Sequence, residues 1–118
     1  MALARYHDEG ATLLRGGRPV APVQIAATLR SRHRGLLGTD TYVGALLLLR
    51  TNGIHTFGMR YPIDVAYLSR DLRVLRVVTV RPGRVTVPWP RCRHTLEAMA
   101  GNMDRWGIER GSELATLR

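Results

Sequence analysis

The sequence predicts a small α+β domain dominated by strands: a mostly antiparallel sandwich or partial barrel of about six strands with one packed helix. Three observations carry that expectation. The apolar runs are short, rich in Val, Ile and Leu, and divided by Gly, Pro, Asn and Asp, which is strand-and-turn punctuation. A single stretch, residues 22–37, spaces its apolar residues in a helical pattern. The 118 residues show no repeat, low-complexity tract or linker, and they suffice for one hydrophobic core. The chain therefore reads as one domain, 1–118, with residues 1–10 polar and loose.

Each element has its own local argument. Ala11-Thr12-Leu13-Leu14 suits a first strand, closed by a turn at Gly16-Gly17. From Pro22, the residues Val23, Ala26, Ala27 and Arg30 follow helical spacing, and Leu36-Leu37 extend the apolar side before Gly38 stops it. Arg30, Arg32, His33 and Arg34 would then sit in the last turns, where cations complement the helix dipole. Leu46 to Leu49 is apolar all round and suits a buried strand. Thr51-Asn52-Gly53 is a strong hairpin signal, which makes residues 54–57 the expected return strand. Gly58 and Pro62 then interrupt the ladder.

Residues 63–68 and 74–80 form a second expected hairpin around Ser69-Arg70-Asp71. The proline-bearing stretch 81–90 should be irregular, with Trp89 exposed. Residues 95–100 suit a strand, 101–106 a short helical turn, and 114–117 a final strand. Short turns favour antiparallel pairing, and no crossover suited to a parallel sheet is evident.

Composition excludes several classes. The lone Cys92 rules out an internal disulfide and a Cys-rich zinc site, and the cytoplasm is the default compartment. No signal-like segment opens the sequence, and the apolar run at 44–49 is far too short to span a bilayer. The net charge of +9 invites a nucleic-acid reading. Yet all 18 basic residues are arginine, scattered from Arg5 to Arg118, with aromatics at only 6% and not interleaved with them. That suits source-genome bias and nonspecific adhesion to polyanions at low salt better than a base-stacking surface.

The strong catalytic signatures are absent: no phosphate loop, no His-Glu-x-x-His, no Gly-x-Ser-x-Gly elbow. Polar residues inside apolar runs are the remaining candidates. His55 and Thr56 lie between Ile54 and Phe57, Asp64 between Ile63 and Val65, and Glu97 between Leu96 and Ala98. His55 as proton carrier or ligand, Asp64 as its orienter, and Arg32 or Arg60 as an anion clamp would make a pocket. The structural alternative has Asp64 accepting backbone N–H bonds or pairing with Arg32 or Arg60. Cys92, flanked by Arg91 and Arg93, with His94 as its base, is a weak candidate, because the proline-rich edge is a poor place to preorganise a dyad. The four histidines lie on four segments, and no metal or cofactor is expected.

The stretch Ile54-His55-Thr56-Phe57-Gly58-Met59-Arg60-Tyr61-Pro62-Ile63-Asp64-Val65-Ala66-Tyr67-Leu68 resembles the central motif of the bacterial and archaeal family DUF192. Further matches are Arg32 with Gly35-Leu36-Leu37-Gly38, Leu96-Glu97-Ala98-Met99-Ala100-Gly101, and Gly107-Ile108-Glu109-Arg110-Gly111-Ser112. They cover residues 23–117 in the family's order. The resemblance implies a compact, β-dominated fold with a packed helix, and no activity, since none is assigned to the family. Many members carry Phe-Trp-Met-Lys-Asn-Thr before the Pro-x-Asp element. His55-Thr56-Phe57-Gly58-Met59-Arg60 stands there instead, so roles of that Trp, Lys and Asn do not transfer. Arg32, Asp64 and Glu97 match the family's polar elements.

The expected function is that of a small cytoplasmic binding or accessory domain with a groove beside His55–Asp64. Its site candidates are His55, Thr56, Arg60, Asp64, Arg32 and Glu97. The expected partner is a small anionic ligand or another protein, away from membranes. The alternatives are an enzyme using His55 and Asp64 as an acid–base pair, and a basic nucleic-acid module.

Overall fold

In the computed structural model, residues 9–27 and 41–118 are described. Among the described residues, seven strands run in the order β1 (Glu9–Arg15), β2 (Arg18–Ala26), β3 (Ala45–Leu48), β4 (Ile63–Leu68), β5 (Val74–Val80), β6 (His94–Met99) and β7 (Leu114–Leu117). One short helix, α1 (Asn102–Arg105), precedes β7. All seven strands join one sheet in the order β5-β4-β6-β3-β2-β1-β7. The domain is β-dominated, as predicted.

The sheet curls until its two edges touch at one end. Arg73 bridges to Glu113, Val74 N–H donates to Ser112 O (2.9 Å), and Leu114 N–H donates to Leu72 O (3.1 Å). Strand alternation then sorts side chains onto two faces. The concave face gathers Leu13, Val23, Leu47, Ala66, Leu96, Ala98, Met103 and Leu114 into the larger core cluster. The other face carries Leu46, Leu48, Ile63, Val65 and Val80, covered by Tyr42, Met59 and Tyr61.

The 46–49 strand, the 63–80 hairpin, the Gly16-Gly17 turn, the 101–106 helical turn and the last strand all form where expected. Three expectations of secondary structure and pairing are corrected. Residues 22–26 belong to β2 rather than a helix, because pairing with β1 and β3 uses both backbone edges there. Pro19 and Pro22 precede Val23, where β2 has β1 as its only neighbour and a missing N–H is tolerated. The remainder of the predicted helix, including Arg30, Arg32, His33 and Arg34, lies outside the described residues.

Residues 54–57 are not a return strand either. Both edges of β3 are already taken, by β2 in parallel and β6 antiparallel, so the chain after Gly53 has no strand to rejoin. It ties instead to the proline-bearing strap 81–88: Thr56 N–H donates to Arg84 O, and Thr86 N–H to Ile54 O (both 2.8 Å). The parallel β2–β3 pair is itself the third correction. Residues 27–44 connect it, long enough for the crossover that parallel strands require.

Trp89 is half-buried rather than exposed. Its ring lies 6.2 Å from that of Tyr67, with the Arg76 guanidinium 4.3 Å from its centroid. Among the described residues, no helix is long and apolar enough to cross a membrane.

Candidate functional site

Asp64 sits on β4 opposite Thr79 of β5 and Ala98 of β6, and it is only 4% exposed. A carboxylate buried this far needs donors, and it has three. The Thr79 hydroxyl donates to Oδ1 (2.7 Å), while the N–H groups of Gly101 and Met103 donate to Oδ2 (2.9 and 3.2 Å). Gly101, with φ 95°, has no side chain to cap α1, so Asp64 caps the helix from a neighbouring strand. Met103 is thereby held inside the concave face.

The other predicted residues fall in different places. Thr56 is fully buried; its hydroxyl donates to Arg81 O (2.6 Å) and accepts from Arg84 N–H (2.8 Å), which ties down the strap. His55 is exposed beside it, bridged to Val85 and stacked on Phe57 with ring centroids 5.4 Å apart. Arg60 is exposed. Glu97 is buried, but it pairs in register with Val65 and Leu46, on the face opposite to Asp64. Arg32 lies outside the described residues. The structure thus separates Asp64 from Glu97 by the thickness of the sheet, and none of the three Asp64 donors is His55.

Cys92 and His94 do not pair as nucleophile and base, in keeping with the weak case the sequence makes for that dyad. Burial pushes the Cys92 thiol up, against the lowering effect of bonds to the Leu68 and His94 backbone. The thiol donates to His94 O (3.2 Å) rather than engaging the imidazole. His94 Nδ1 accepts the Arg50 N–H at 2.8 Å. Burial, then the charges of Arg93 and Arg50, hold His94 below the ordinary histidine range.

A groove of about 720 Å³ opens beside Asp64, lined by residues of β5, the strand at one edge of the sheet. Leu75, Val77, Met103 and Ile108 supply its apolar lining; Arg76, Arg110, Asp104 and Glu109 supply charge. Sequence reasoning missed these residues, apart from Asp64 itself. They come from β5, Trp89 and residues 101–110, and nothing in their local spacing joins those segments.

With this geometry in view, similarity to known proteins places the chain. The family model DUF192, described as Uncharacterized ACR, matches residues 11–116. This chain belongs to that family. The UPF0127 protein PH1112 of Pyrococcus horikoshii is 33% identical over 84 residues, 67% of this chain and 73% of that protein. Two crystal structures share the fold. A Novosphingobium aromaticivorans protein of unknown function has a TM-score of 0.74 at 16% identity, over 92% of this chain and 84% of its own. A Sinorhizobium meliloti protein described as a "putative transcription regulator" has a TM-score of 0.77 at 17% identity, over 94% and 95%. The family is one of unknown function, so a role for this DUF192 member has to be argued from its own residues.

Proposed function

We propose that this DUF192 protein is a cytoplasmic binding domain without turnover, and that it takes an extended segment of a partner protein along β5. The observation that carries this is the groove beside Asp64, whose lining includes Leu75, Arg76, Val77 and Thr79 of an edge strand. Beyond its bridge to residues 111–114, β5 has no neighbouring strand opposite β4 among the described residues. An extended peptide can satisfy such an edge with its own main chain, while alternate side chains enter the groove. The apolar lining with charges of both signs around it suits a mixed-charge segment. Asp64 supports the non-catalytic half, since Thr79, Gly101 and Met103 already occupy its carboxylate.

The test is selection of the full chain against a displayed library of short random peptides. Enriched peptides should lose affinity by about tenfold or more when Leu75→Arg blocks the groove or Arg110→Glu inverts one of its charges. No enrichment, or affinity indifferent to both variants, would overturn the peptide assignment. Turnover of a metabolite that disappears in folded His55→Ala would overturn the non-catalytic half.

A further inference from the structure

A second concavity, of about 430 Å³, lies at the far end of the sheet from Asp64 along β4 and is lined by Arg50, Asn52, Arg70, Cys92, Arg93 and His94. Three chain segments meet there. Arg50 follows β3, Arg70 sits in the β4–β5 turn, and Arg93 leads into β6. Main-chain bonds hold them in place: Arg93 N–H donates to Leu68 O (2.8 Å) and Thr51 N–H to Arg93 O (3.0 Å). No carboxylate lines the pocket, and among the described residues none of the three guanidinium groups forms an ion pair.

We infer that this pocket binds a small molecule through a tetrahedral oxyanion of the phosphoryl or sulfate type, clamped by Arg50, Arg70 and Arg93. Guanidinium forks match such oxygens in charge and geometry. His94 adds a neutral donor. Its Nδ1 accepts the Arg50 N–H, so Nε2 carries the proton. Arg50 adopts φ 53°, the left-handed region that side-chain-bearing residues seldom occupy, and the His94 bond holds it there.

Asn52 is a fixed wall, since its amide both donates to and accepts from the Trp89 main chain (2.9 and 2.8 Å). Three cations around one concavity repel each other, and a bound anion turns that repulsion into attraction. Burial first, and then the charges of Arg93 and Arg50, depress the basicity of His94. The volume suits a small ligand. The pocket shares no lining residue with the β5 groove, so it stands independently of the peptide reading.

The experiment is a sulfate titration of the isotope-labelled full chain, followed by NMR, with chloride exchanged to hold ionic strength constant. Saturable shifts are expected at the Arg50 and His94 amides and at the three arginine side-chain N–H groups. Arg70→Gln, in an exposed turn, should weaken binding by about tenfold with the remaining spectrum unchanged, and Arg93→Gln similarly. Arg105→Gln on α1 should have no effect. Shifts that do not saturate, or that survive both pocket variants, would overturn the site. A single-stranded oligonucleotide that displaces sulfate at physiological salt would overturn the small-molecule assignment.

Discussion

A carboxylate inside an apolar strand costs several kcal/mol unless it is paired, and Asp64 shows how one strand residue can organise a neighbouring element. Replacing it with Ala orphans the Gly101 and Met103 N–H groups together with the Thr79 hydroxyl. Asp64→Ala should cost on the order of 1–3 kcal/mol in urea denaturation, and Asp64→Asn less, since its remaining carbonyl oxygen still accepts. An unchanged midpoint would refute the capping role. That Asp64 and Thr56 matter could be read from polar residues set in apolar runs. Their partners could not, because the donors to Asp64 lie on residues 79–103 and meet it only through the sheet.

At the scale of elements, local pattern succeeded wherever a strand's partner lies close in sequence. The β4–β5 hairpin is the example: two short apolar, β-branched runs joined by a polar turn specify it locally. The pattern failed at β2 and at residues 54–57. Helical spacing of Val23, Ala26 and Ala27 is also compatible with a strand whose partners come from β1 and β3. The Asn52-Gly53 signal makes no hairpin: the turn falls at Leu49-Arg50, and β6 takes the place the hairpin partner would occupy.

Parallel entry into β3 puts a special demand on Gly44, at φ 85°, where an added β-carbon would run into the Pro22 carbonyl. Gly44→Ala should therefore destabilise the protein by about 1–3 kcal/mol or more, measured by thermal or chemical unfolding. A wild-type midpoint would mean that the β2–β3 approach is looser than this geometry.

For the whole molecule, the burial that folding imposes also sets how stability responds to pH. His94 has a lowered affinity for protons in the folded state because it is desolvated and faces Arg93 and Arg50. As pH falls through the ordinary histidine range, the unfolded chain takes up that proton first, so folding stability declines. The decline ends once the folded-state His94 is itself protonated. Unfolding free energy measured between about pH 8 and pH 5 should fall, and His94→Gln should flatten that part of the slope. His7, His33 and His55 are present in both proteins, so the difference isolates His94. A slope unchanged by His94→Gln would show that folding does not lower the proton affinity of His94.

Residue order alone was enough to establish a β-dominated domain, the β4–β5 hairpin, the last strand and family membership, and to single out Asp64 as a polar residue inside an apolar strand. Each depends on alternation, turn chemistry or a contiguous motif, all of which act over a few residues. Tertiary structure alone decided that β2 is a strand, that β3 sits between β2 and β6, and that Asp64 and Glu97 face opposite sides. It also decided that the arginines at 50, 70 and 93 converge. Those outcomes depend on which backbone edge closes on which, and that competition is settled by burial across the whole sheet.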